Sequence, residues 1–118
     1  MELSEKQKRT EETLSQEIAE TAQREAGIGL SNVGVKKGEQ SSELSWDMYD
    51  RERKAAVHFW IRYDNATGDA LERKWTIGEG SEAKVIRYED IKLMASISQE
   101  AATNAEDVAF RTIKKEVN

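Results

Sequence analysis

The segment over residues 57–77 constrains the fold more than any other part of the chain. Val57, Phe59, Ile61 and Tyr63 alternate with His58, Trp60 and Arg62, and a second half-apolar run holds Leu71, Trp75 and Ile77. Between them lies the polar turn Asp64-Asn65-Ala66-Thr67-Gly68-Asp69. Side chains alternate faces along a strand, so the pattern predicts a β-hairpin with one apolar face. Its polar face then carries His58, Trp60 and Arg62 beside Glu72, Lys74 and Thr76.

The hairpin extends in both directions. Leu44, Trp46 and Met48 alternate with Ser45, Asp47 and Tyr49, which reads as a preceding strand, and the charged Asp50-Arg51-Glu52-Arg53-Lys54 leads into the hairpin. Sequential strands usually pair, giving an antiparallel meander of three strands over 43–77, with strands at about 43–50, 55–63 and 70–77. Ile28, Leu30, Val33 and Val35 suit a short irregular strand. Residues 83–88 suit a fourth strand of the meander, whereas 89–97 fits helix and alternation equally well.

Helices flank this sheet. Leu14, Ile18 and Ala22 recur every four residues, so a helix is predicted over 10–26, with residues 1–9 frayed and Gly27 as its stop. A C-terminal helix is predicted over 98–116. Ser96-Ile97-Ser98-Gln99 and Thr103-Asn104-Ala105-Glu106 both match the capping box, and Ala101, Ala105, Val108, Ala109, Phe110 and Ile113 supply a mostly small apolar side. The expected fold class is therefore α+β. A three- to four-stranded antiparallel meander packs against the N-terminal and C-terminal helices, which cover Val57, Phe59, Ile61, Leu71, Trp75 and Ile77. At 118 residues the chain is read as a single domain, 1–118.

Composition narrows the function. With 18 basic and 23 acidic residues the net charge is −5, which disfavours nonspecific binding to a phosphate backbone or an anionic membrane. Cysteine is absent, so no disulfide, thiolate nucleophile or sulfur-ligated zinc is available. No run approaches membrane-spanning length and no apolar leader opens the sequence, so the expectation is a cytoplasmic protein with no membrane partner.

The chemistry-bearing motifs are weak. Gly29 and Gly34 have P-loop spacing, but Val35 stands where lysine belongs and no Ser or Thr follows. Gly27-Ile28-Gly29-Leu30-Ser31-Asn32-Val33 resembles the glycine-rich lid of the histidine-kinase ATPase family, a resemblance that implies ATP. It covers seven residues, without that family's Asp-x-Gly-x-Gly motif, and the segment is read as a helix-terminating loop with no nucleotide cofactor. In the turn 64–69, placing Gly68 at the sixth EF-hand position would put Tyr63 at the first, so no calcium site is assigned and the oxygens are read as turn chemistry. His58 is the sole histidine and has Asp47, Glu72 or another strand carboxylate as candidate partners. No serine, cysteine or second histidine stands at a diagnostic spacing, and the protein is read as not an enzyme, with no catalytic and no metal-ligating residues assigned.

The polar face of the hairpin remains. A tryptophan among cations can stack on a nucleobase while Arg62, Lys74 and the neighbouring Arg51, Arg53, Lys54 and Arg73 hold phosphates, as in a single-stranded nucleic-acid-binding protein. Asp50, Glu52, Asp64, Asp69 and Glu72 interleave with those bases, and mixed charge suits protein recognition, where tryptophan, tyrosine and arginine carry much of the binding energy. The function expected is a small non-catalytic binding or regulatory module. It would act on another protein or on itself, as a homodimer, through Trp46, Tyr49, His58, Trp60, Arg62 and Lys74. Burial of Trp60 beneath the N-terminal helix or a partner subunit is the competing structural reading.

Overall fold

The structure, a computed structural model, describes residues 10–50, 55–77, 84–87 and 99–117. Thr10 stands in extended backbone and opens the first helix, α1 (Glu11–Thr21), its hydroxyl accepting from the Thr13 N–H at 3.0 Å. That bond satisfies one of the donors every helix leaves unpaired at its start, and Glu11 and Glu12 in the first turn complement the dipole. Leu14, Ile18 and Ala22 all point into the core with no exposed surface. The helix widens into a π-turn, Ala22–Ala26, and stops at Gly27, whose φ of +65° lies in the left-handed region open to glycine. The expected helix over 10–26 is thus realised in two forms of winding.

Five antiparallel strands follow in the order of the chain: β1 (Ser31–Lys37), β2 (Ser41–Asp50), β3 (Ala55–Asp64), β4 (Ala70–Ile77) and β5 (Lys84–Arg87). The three strands expected over 43–77 form the centre, and the sheet adds one strand on each side. Residues 51–54, 78–83 and 88–98 lie outside the described residues, as do 1–9. The expected basic extension at Arg51, Arg53 and Lys54 therefore has no structural description, and neither does the ambiguous stretch 89–97. Helix α2 (Gln99–Val117) closes the described chain. It begins before Thr103, so the second capping-box candidate sits inside the helix, and Ser96 of the first falls outside the described residues.

The core lies between one face of the sheet and both helices. Leu44, Trp46, Met48, Val57, Phe59, Ile61, Tyr63 and Trp75 from the strands meet Leu14 and Ile18 of α1 and Ala102, Ala105, Ala109 and Ile113 of α2. The small α2 side chains let the helix approach closely. Trp46 and Phe59 stack with centroids 5.0 Å apart and planes 11° apart, and Phe59 meets Trp75 edge-on, also at 5.0 Å. Burial raises the Tyr63 phenol above its ordinary value, with Ser42 hydrogen-bonded to it as a smaller opposing influence.

Two expectations about the sheet are corrected. Leu71 does not enter the core: the β3–β4 register slips between Arg62 and Tyr63, so that Tyr63 pairs with Ala70 while Arg62 pairs with Glu72. The bulge leaves Leu71 unpaired and 49% exposed, and Ala70 packs against the core in its place. Arg73 does not extend the polar face. It pairs with Ile61 in register and so sits on the core side, where its Nε lies 3.1 Å from the buried Glu106 of α2 and its guanidinium stands 5.9 Å from the Phe110 ring.

Candidate interaction face of the sheet

The register arranges the outer side of the sheet in rows. Glu43 stands opposite Arg62, Ser45 opposite Trp60, and Asp47 opposite His58 across β2 and β3. On β1, Gly34 lies beside Ser45 and Lys36 beside Glu43; on β4, Lys74 lies beside Trp60, Glu72 beside Arg62 and Thr76 beside His58. One row thus runs Gly34, Ser45, Trp60, Lys74, with Arg87 of β5 next in register. Trp60 is at its centre.

Trp60 is half-buried, and neighbours fix its ring from two directions. Its Nε1–H donates to Glu43 Oε1 at 2.8 Å, and the Lys74 ammonium stands 5.1 Å from the ring centroid. Beside the ring, Gly34 and Ser45 carry too little bulk to fill the space above their strands. A shallow depression of about 330 Å³ results, bounded by Trp60, Glu43, Lys36, Ser45, Gly34 and Val35. Both helices bury their apolar residues in the cluster on the other side of the sheet, so α1 does not cover Trp60.

The remaining polar groups form local pairs. His58 Nδ1 meets Asp47 Oδ1 at 2.6 Å, and the second oxygen of Asp47 accepts from the Asn32 amide at 2.6 Å. Of the strand carboxylates expected as partners of His58, the fold selects Asp47. Glu72 stands 3.6 Å from Arg62 and 3.3 Å from Lys74, both as solvent-facing pairs of the kind that contribute about 0–1 kcal/mol. Such pairs can exchange partners at little cost.

The expected site residues therefore divide. His58, Trp60, Arg62 and Lys74 share the outer face, and Tyr49, 56% exposed, lies on that face near the end of β2. Trp46 does not belong with them. It is fully buried, because it pairs with Phe59 and thereby shares the core face with Val57 and Ile61. The sequence reading missed Glu43 and Lys36. Glu43 was legible, since it lies two residues before Ser45 on the same side of an alternating strand; Lys36 was not, because the glycine segment gives no register.

The turn at 64–69 commits its side-chain oxygens to protein partners within the turn and beside it. Asp64 Oδ1 accepts from the N–H groups of Ala66 and Thr67 at 2.6 and 3.2 Å, and Asn65 Oδ1 accepts from Ser42 at 2.5 Å. Among the described residues, no group of His, Asp and Glu side chains is placed to hold a metal ion. A second depression of about 300 Å³ lies between α2 and the start of β4, where Arg73 pairs with Glu106 and Lys114 with Asp69. Among the described residues, no helix is long and apolar enough to cross a membrane. Compared with known proteins, the chain matches no family model, no curated protein and no solved structure.

Proposed function

We propose that the protein is a small non-catalytic binding or regulatory module that docks another protein surface on the outer face of its sheet. The observation that carries this reading is Trp60: partly buried with its remaining surface on a face that neither helix covers, central in its row, and held by Glu43 and Lys74. A pre-oriented aromatic loses little entropy on binding, and tryptophan and arginine are the side chains that most often dominate protein interfaces. A single-stranded nucleic acid fits this face less well. Arg62 and Lys74 already share Glu72, and Glu43 and Asp47 add negative charge beside the ring, so the cations form no continuous track for phosphates.

The test is affinity capture with the full chain, compared between wild type, Trp60→Ala, Arg62→Ala and a control substitution on the exposed side of α2, Lys115→Ala. A docking face at Trp60 predicts that a retained protein is lost with the first two variants and kept with the third. Retention indifferent to all three would place the contact elsewhere. A labelled oligonucleotide that shifts in a gel at low salt, with affinity falling steeply as salt rises, would favour nucleic acid instead.

A further inference from the structure

We infer that the protein seated on this face is a second copy of the same chain, stacked sheet on sheet about a two-fold axis parallel to the strands. The inference rests on the docking reading above and adds the identity of the partner. Its basis is the order of charge across β2 and β3. At one height Glu43 of β2 stands opposite Arg62 of β3; at another, Asp47 of β2 stands opposite His58 of β3. The acids are on β2 and the basic side chains on β3.

Consider an axis midway between those strands, lying in the plane where two such faces meet. Rotation about it carries β2 of one copy over β3 of the other and leaves heights along the strands unchanged. Each Glu43 then lies over the second copy's Arg62, and each Asp47 over its His58. The middle row brings each Trp60 over Ser45 of the other copy, where the small side chains leave the depression beside the ring. The contact is isologous and closes at two copies, because the same patch serves both. Aligned stacking of this kind is how sheets pack face to face, about 10 Å apart with strands within about 30°.

Overall charge and size agree with this occupant. The chain carries −5, so two copies repel through most of their surfaces. On the outer side of β1 to β4, the part of the face that stacks, Lys36, Arg62 and Lys74 balance Glu43, Asp47 and Glu72, which makes this a neutral patch on an acidic protein. Four strands about 4.8 Å apart and about 30 Å long offer roughly 600 Å² per copy, or about 1,200 Å² in all. That is the lower end of the range for specific interfaces, and it corresponds to a dimer that dissociates on dilution.

The experiment is sedimentation velocity on the full chain between about 5 and about 500 μM, with Glu43→Arg, Arg62→Glu and an equimolar mixture of the two. Wild type should shift from monomer to dimer across the series. Each variant alone sets like charge over like charge twice, and its dimerisation should weaken at least about tenfold, the effect of like charges facing each other at an interface. In the mixture every such contact is again opposite in sign, and a heterodimer should form. A wild type that stays monomeric throughout, variants that dimerise as well as wild type, or a mixture that stays monomeric overturns the inference. Should Glu43→Arg fail to fold for want of the Trp60 hydrogen bond, wild type and Arg62→Glu still decide between dimer and monomer. A monomeric wild type whose captured partner is lost with Trp60→Ala would overturn self-stacking and leave the docking face standing; a dimer of wild type indifferent to both charge reversals would overturn self-stacking, and retention of the captured partner by Trp60→Ala would remove the docking face.

Discussion

Two tryptophans on opposite faces of the same sheet test the assignment of inside and outside. Trp46→Ala removes a side chain with no exposed surface that stacks on Phe59, a change that costs about 3–5 kcal/mol in a core. The Trp46 Nε1–H has no hydrogen-bond partner among the described residues, so its removal also relieves a desolvated donor, an offset of about 1 kcal/mol. Full burial and the stacked Phe59 place the cost at the upper end of that range, and the net loss should be about 4 kcal/mol. Trp60→Ala loses the bond to Glu43, about 1 kcal/mol because that carboxylate can turn to water, and the Lys74 contact, about 0.5 kcal/mol. The surface that its partly buried ring keeps from water adds about 1 kcal/mol, and the total should be about 2.5 kcal/mol. Urea unfolding followed by far-ultraviolet circular dichroism reads both: with a slope of about 1.5 kcal/mol per molar, the midpoint falls by about 2.7 M for Trp46→Ala and about 1.7 M for Trp60→Ala. Equal losses, or a larger loss at Trp60, would mean that the ring is core and that the face above it is covered. The docking reading would then fail with it. Should Trp46→Ala leave too little folded protein, Phe59→Leu reads the same aromatic cluster at about 2 kcal/mol.

Three further outcomes follow from individual residues. Gly68 has φ +77°, and a Cβ there would meet Lys114 Cγ at 3.0 Å; Gly68→Ala should destabilise by about 1–2 kcal/mol in thermal melts, and no change would refute the left-handed turn. Leu71→Lys should change stability by less than about 0.5 kcal/mol, because the bulge turns Leu71 outward, whereas a loss of several kcal/mol would restore strict alternation along β4. Burial holds the Tyr63 phenol above its ordinary value, so the unfolded chain ionises first as pH rises: this contribution to stability is intact below about pH 10 and is lost as pH climbs toward the raised folded value. Urea midpoints measured across that range should fall more steeply for wild type than for Tyr63→Phe, and parallel curves would exclude the effect.

What the sequence disclosed, and what it hid, follows from the difference between local and cross-strand information. Alternation is local, so the two faces of β3 could be read directly, and the pairing of Trp60 with Lys74 followed from the hairpin turn. The bulge at Leu71 is not local. It exists because the turn at 64–69 sets the distance at which Tyr63 meets Ala70, and nothing within the run from Ala70 to Ile77 signals that its first residues break step with the rest. Arg73 shows the same limit from the other side: a charged residue in an apolar position reads as a surface residue until Glu106 arrives from a helix more than thirty positions on. Trp46 differs, because the information was present. In the antiparallel pair, residues opposite one another share a face, and Leu44 and Met48 stand opposite Ile61 and Val57; Trp46, between them and opposite Phe59, must turn to the core with all four. Glu43, Ser45 and Asp47 must then turn outward beside Arg62, Trp60 and His58. The step that removes Trp46 from the surface therefore also assembles the acidic strand against the basic one, and this order of charge makes the face complementary to itself.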